Sequence, residues 1–145
     1  MALTPEETGV LETTLDEGET VEIAPSKTWR IDFDKGTIGG FIDGDDAKHQ
    51  FVYKALVTER NKYPIYTDAY GNELFDLIGE DMSNAFLSIE VPRMCKEAVV
   101  YDERIESANV SFTRDRSTNT LYVTVDVTLY NGETITIEGV EIDGL

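Results

Sequence analysis

Glu59 and Asp68 are the residues best placed by type to do chemistry, because they flank a tyrosine-rich loop, with Tyr63 and Tyr66 between them and Tyr70 just beyond. Two carboxyls held about 5 to 10 Å apart across a sugar cleft, one of them kept protonated, hydrolyse glycosidic bonds. Nothing in the spacing fixes that geometry, and carboxylates are abundant throughout the chain. Calcium is a second chemistry, raised by the acids of Asp32-Phe33-Asp34-Lys35-Gly36 and Asp43-Gly44-Asp45-Asp46. These miss the register of a calcium loop, which needs alternating acids, a central glycine and a terminal glutamate. Turns and a helix cap account for them better. Gly36, Gly39 and Gly40 lack the Lys-Ser/Thr of a phosphate loop. His49 is the only histidine and Cys95 the only cysteine. That removes most zinc sites, a His-based triad and an internal disulfide. His49 reads as a surface residue and Cys95 as a small buried apolar one. The expectation is a non-enzyme, with no catalytic residue, metal or cofactor.

The totals point to partners instead. The 145 residues carry 29 acids against 12 bases, a net charge of −17. Such a field repels nucleic acid and anionic membranes and favours basic protein partners. It also serves solubility alone. No apolar run approaches the ~20 residues that span a bilayer, and no charged-then-apolar leader is present. A soluble protein made in a cytoplasm is expected.

The elements follow from patterning. Residues 1–25 contain Glu6, Glu7, Glu12, Asp16, Glu17, Glu19 and Glu22 and no base. This acidic N-terminal arm should not fold alone, and a neighbouring chain would hold it. Residues 26–145 should form a single domain. Trp29, Ile31 and Phe33 alternate as a short strand, and Ile38 to Ile42 reads as a second strand or an extended link. Asp43 starts a helix through about Arg60, with Ala47, Phe51, Val52, Ala55 and Leu56 on its apolar face. A loop follows, then a short helix from Glu73 to Ile78 ended by Gly79. A long helix should cover about Asp81 to Tyr101, with Phe86, Ile89, Met94, Ala98 and Val99 inward. Pro92 either kinks it or starts a second helix.

The last third alternates. Val110 and Phe112 open it, and Leu121, Val123, Val125, Val127 and Leu129 carry the strongest strand signal. Asn131-Gly132 has the composition of a two-residue hairpin turn. Ile135 and Ile137 continue, and Gly139 marks a bulge or the strand's end. The predicted fold class is α+β, with helices packed on one face of an antiparallel C-terminal β-meander. A meander ending in a free terminus leaves an edge that another strand can join.

Two stretches carry a family resemblance: WRIDFDKGTIGGFIDG, beginning at Trp29, and FVYKALVTERNKYPIYTDAYGNELFDLIG, residues 51–79. They resemble PBSX-type prophage baseplate proteins, within the gene-25-like wedge family, or sheath initiators, of contractile tails. The family's Gly-Glu-Arg, Pro and aromatic-Gly motif is matched by Thr58-Glu59-Arg60, Pro64 and Tyr70-Gly71, with Thr58 replacing glycine and a longer loop. Its Glu-Pro-Arg-Ile is matched by Asp102-Glu103-Arg104-Ile105, with Glu103 in place of proline.

The resemblance implies a handshake-like domain without catalysis, which docks on the wedge and templates the first sheath ring by strand exchange. The implied wedge contacts are Asp102, Glu103, Arg104, Glu59, Arg60, Pro64, Tyr66, Tyr70 and Gly71. The implied sheath-contact strand is Thr134, Ile135, Thr136, Ile137, Val140 and Ile142. Implied partners are a J-like wedge protein and the sheath protein, with tube or hub proteins as further neighbours. No nucleic acid or membrane is implied, and rings of six copies are. The place would be the baseplate of a virion or tail-like particle, assembled in the bacterial cytoplasm. Two alternatives stay open: a lysozyme-like peptidoglycan hydrolase using Glu59, and an acidic module for a basic partner.

Overall fold

The computed structural model describes residues 26–145, together with two short strands earlier in the chain. The chain forms two compact units, Met1–Ala47 and Lys48–Leu145. In the first unit, β1 (Glu12–Thr14) pairs antiparallel with β2 (Thr20–Glu22). The rest of the acidic arm lies outside the described residues.

The strand expected from Trp29 is β3 (Thr28–Asp32), and it pairs antiparallel with β4 (Thr37–Ile42). Trp29 stands opposite Phe41 and Ile31 opposite Ile38, so β4 holds one residue more than β3 between the two pairs. Gly40, at φ +71°, supplies the left-handed turn of that bulge. The bulge keeps Trp29, Ile31, Ile38 and Phe41 on one face, and the Trp29 and Phe41 rings stack at 4.2 Å. The aspartates considered for calcium have local duties. The Asp32 carboxylate accepts from the Lys35 N–H at 3.0 Å, and Asp43 accepts from the Gly44 N–H and the Ser26 hydroxyl.

The helix α1 (Gly44–Val57) crosses from the first unit into the second. It stops short of Arg60 because main-chain bonding turns elsewhere. The Asn72 N–H donates to the Thr58 carbonyl at 2.8 Å, and the Arg60 N–H donates to the Asn72 carbonyl at 3.2 Å. The expected short helix is a 3-10 turn, Glu73–Leu77, capped by the Asn72 side chain, which accepts from the Leu74 N–H at 3.1 Å.

The second long helix, α2 (Asn84–Val100), is continuous through Pro92 and capped by Ser83. Its inward stripe differs from the expected one. Leu87, Val91, Met94, Cys95, Ala98 and Val99 are buried, whereas Phe86 and Ile89 face outward. The buried residues recur at three- and four-residue steps from Leu87, which is the face that sees the sheet. Phe86 and Ile89 belong to a second, outward stripe.

The strands β5 (Ile105–Asp115), β6 (Thr120–Leu129) and β7 (Thr134–Asp143) form an antiparallel sheet in the order β5-β6-β7. Leu121, Val123, Val125, Val127 and Leu129 are buried on the inner face, with Thr124, Asp126 and Thr128 on the other. Val123 pairs with Val140 and Val125 with Ile137, so the bulge expected at Gly139 is present, with φ +65°. Without that extra residue Val140 and Ile142 would point away from the core. The hairpin turn differs from expectation. Its loop is three residues, Tyr130-Asn131-Gly132, with Gly132 left-handed at φ +85° and its N–H donating to the Leu129 carbonyl at 2.9 Å. Asn131 keeps a negative φ, so this is a turn with a glycine bulge and not the two-residue form.

One core joins these parts. Val52 and Leu56 from α1, Leu74 and Leu77, the α2 stripe and the inner faces of the strands form one buried cluster. The helices therefore cover one face of the meander, the α+β arrangement expected. The terminus is not free. Gly144 and Leu145 both donate their N–H to the Asn119 carbonyl, at 2.7 and 2.9 Å, and the Leu145 side chain is buried. The Arg114 guanidinium bonds the Leu145 carbonyl and the Met82 carbonyl, each at 3.1 Å.

Candidate docking site

The residues matching the first family motif form a clamp that closes the loop 61–70. The Arg60 side chain is only 7% exposed and lies between carboxylates, 2.9 Å from Glu73 and 3.0 Å from Glu97. Two of its nitrogens also bond the Gly71 carbonyl, at 3.0 and 3.2 Å. A Cβ on Gly71 would sit 2.8 Å from the Thr58 carbonyl oxygen, and its φ of +103° already disfavours other residues. Beneath it the buried Asn72 amide donates to the Leu56 carbonyl at 3.1 Å and approaches the Cys95 sulfur at 3.8 Å. Burial pushes the Cys95 thiol up to about 12, so it is an inert apolar filler at neutral pH. Arg60 and Gly71 thus act inside the domain. Asn72, which no motif singled out, is the clamp's centre.

The loop that the clamp holds is aromatic and turned outward. Tyr66 lies 4.4 Å from Tyr70, Tyr63 meets Tyr66 edge-on at 6.4 Å, and Tyr70 meets Tyr101 edge-on at 6.0 Å. The Lys54 ammonium sits over Tyr66 at 5.0 Å. Tyr70 is buried, which pushes its phenol up to about 12. Tyr63, Pro64 and Tyr101 are exposed and Tyr66 is half-buried. The Thr67 hydroxyl and the Tyr101 phenol share a hydrogen bond of 3.3 Å. The loop is therefore tied to the end of α2, where the second motif begins.

At that bend Asp102 and Arg104 form a two-pronged pair, both contacts at 2.8 Å, and the Arg104 N–H also donates to Asp102 at 2.9 Å. The Arg104 guanidinium lies 5.4 Å from the Phe51 ring centre, a cation–π contact. These side-chain and backbone bonds fasten the bend across Glu103, which stays exposed. Burial alone would raise the Asp102 pKa, but the hydrogen bonds and charge of Arg104 outweigh it and hold the carboxyl below its ordinary 3.8. A lowered folded pKa gives stability above the unfolded value that disappears as pH falls through the folded one. We expect acid titration to show Asp102→Asn losing less stability than the parent below pH 3.8. Identical acid limbs in the two proteins would contradict the pairing.

The strand residues divide by side. Ile135, Ile137, Val140 and Ile142 of β7 point inward and are buried, so any contact they make with a neighbour is through the main chain. Thr134 and Thr136 face out, with the Thr136 hydroxyl on Asp126 at 2.6 Å. The Leu129 N–H bonds the Glu133 carbonyl at 2.9 Å, and pairing continues through Thr128–Thr134, Val127–Ile135 and Asp126–Thr136. Antiparallel alternation then aims the main-chain groups of Thr134 and Thr136 away from β6, toward the side of β7 that no other described strand pairs with.

The residues weighed for catalysis have ordinary surroundings. Glu59 pairs with Lys62 at 2.6 Å, and Asp68 is exposed. Among the described residues no group of three or more His, Cys, Asp or Glu could hold a metal. No helix of those residues is long and apolar enough to cross a membrane.

The fold and site define a small α+β assembly domain whose buried polar groups fasten its own loops and whose outward groups are aromatic rings and a strand edge. The family model for contractile injection system sheath initiators matches residues 27–132. The chain is also 41% identical over 142 residues to phage-like element PBSX protein XkdS of Bacillus subtilis (strain 168), covering 97% of this chain and 96% of that one. The chain belongs to the sheath initiators, a structural family, and is a component of a contractile tail. A crystal structure of a putative tail lysozyme from Geobacter sulfurreducens shares the fold with a TM-score of 0.56, over 68% of this chain and 88% of that one. At 16% identity that likeness concerns the fold and not the named activity.

Proposed function

We propose that this chain sits in the baseplate, docks on a wedge protein through its aromatic bend and starts the sheath by accepting a strand at its sheet edge. The observation that carries the reading is the state of β7. Its apolar side chains are fixed in the core, so what it offers a neighbour is a row of main-chain donors and acceptors. Strand addition needs only those, and a ring of copies strengthens each modest contact. The wedge side uses Tyr63, Pro64, Tyr66, Tyr101 and the Asp102–Arg104 bend. Exposed tyrosines beside a fixed charge pair are typical of interface cores.

Two variants in assembling particles test this. Thr136→Pro removes a donor aimed at the free edge and is tolerated within an edge strand. It should leave tubes and baseplates that contain the initiator but carry no sheath. The double variant Tyr66→Ala, Tyr101→Ala should lose the initiator from the baseplate altogether. Fully sheathed particles from Thr136→Pro would refute strand exchange at β7. Normal incorporation of the double variant would refute the aromatic docking face.

A further inference from the structure

Two turns meet beside the bend. The Asp102 carbonyl accepts from the Ile105 N–H at 3.0 Å, so residues 102–105 close a turn with Glu103 and Arg104 at its corners. The loop of the β6–β7 hairpin stands next to it, because the Tyr130 N–H donates to the Arg104 carbonyl at 3.3 Å and Ile105 pairs with Leu129. That loop is fastened further on as well. Lys48 of α1 pairs with Glu133, and the Asn131 side chain accepts from the Glu133 N–H at 3.0 Å. Tyr130 is nonetheless 69% exposed, and its ring meets no other ring or cation among the described residues. A large ring held in water by a fastened loop has the character of an interface anchor.

The charges of the two turns are unevenly engaged. Arg104 is taken by Asp102 and the Phe51 ring, and Lys48 by Glu133. Glu103 is exposed and forms no ion pair among the described residues. What these turns leave outward is therefore a carboxylate, one residue from the carbonyl that holds Tyr130, and a bare aromatic ring. An arginine matches both groups at once, because its flat guanidinium stacks on a ring and forks onto a carboxylate. A lysine ammonium is a compact, strongly hydrated point charge without that flat face, and an apolar side chain would desolvate Glu103 without pairing it. The net charge of −17 favours the same kind of partner at longer range.

We propose that Glu103 and Tyr130 form the seat for an arginine of the docking partner, its guanidinium stacked on the Tyr130 ring and paired with the Glu103 carboxylate. The seat rests on the reading that the bend meets a wedge protein, and it adds which side chain that protein presents there.

The rate at which labelled initiator leaves purified baseplates tests this, with urea unfolding of each variant to establish that the fold is unchanged. Glu103→Gln should speed release by up to about fivefold, the upper range for an exposed pair, and should flatten the dependence of release on salt. Tyr130→Ala should speed it by about thirtyfold, the threshold of an interface hot spot. Tyr130→Phe should stay near the parent, since the ring does the stacking. In the double variant Glu103→Gln, Tyr130→Ala the two effects should fall short of multiplying, because both groups grip one guanidinium. Parent-like release from either single variant, or effects that multiply in full, overturns the seat. Retention of the Tyr66→Ala, Tyr101→Ala variant beside fast release of Tyr130→Ala would instead refute the tyrosine loop as the docking face and leave the arginine seat standing.

Discussion

A chain ending at Gly139 should not fold. The missing segment holds Val140, Ile142 and Leu145, all buried against the sheet's inner face and its neighbours. Burying one such side chain is worth about 1.5 to 3 kcal/mol, so three approach or exceed the ~5 kcal/mol at the lower end of a domain's net stability. The loss does not stop there. Arg114 would lose the Leu145 carbonyl, and the Asn119 carbonyl would lose both N–H donors that close the other end of the sheet. Circular dichroism and urea titration should show no cooperative transition for this truncation. A sharp transition near that of the parent would mean that the terminal strand is peripheral. Leu145→Ala, milder, should cost about 2 to 4 kcal/mol as a large-to-small core change.

This result constrains any test of sheath initiation. Removing the terminal strand abolishes the domain along with the edge, so missing sheaths would say nothing about strand exchange. An edge substitution such as Thr136→Pro separates the two, because the affected N–H points away from β6 and the side chain lies outside the core.

The sheet was legible in the sequence for a physical reason. Period-two alternation across Leu121 to Leu129 has one solution, a strand with one buried face. Gly139 was legible too, because Ile135, Ile137, Val140 and Ile142 keep to one side only if an extra residue interrupts the alternation between Ile137 and Val140. The α2 stripe was not. Apolar residues occupy both sides of that helix, and only packing against β5 distinguishes Leu87 and Val91 from Phe86 and Ile89. The turn at Asn131-Gly132 had the right composition, but its length was set by register with β6.

The candidate site was the harder reading. Arg60 and Gly71 were found through the family motif, yet their types suggest surface. They are internal because Glu73, Glu97 and the Thr58 carbonyl converge on them from three elements. No local pattern encodes that convergence, and Asn72 gave no signal for the same reason. Tyr101, next to the second motif, joins the aromatic array through contacts with Tyr70 and Thr67 that are more than thirty residues away in sequence.

Arg60→Ala should lower the unfolding free energy by about 3 kcal/mol, the low end for breaking a buried pair from one side. The size follows from what is left behind. The Gly71 carbonyl loses both guanidinium donors, and Glu73 keeps only a 3.8 Å contact with Arg93. Arg60→Lys should recover little, since one ammonium cannot reach the carbonyl and both carboxylates with the fork geometry of arginine. Glu97→Gln should cost under about 1 kcal/mol, because its side chain is 51% exposed and the pair is screened. Urea midpoints at unchanged slope measure all three. The ordering is the sharp part. If Glu97→Gln costs as much as Arg60→Ala, the ion pairs dominate. If Arg60→Ala is costly and Glu97→Gln is not, the bonds to the Gly71 carbonyl and to Glu73 are what close the loop and set the tyrosines outward.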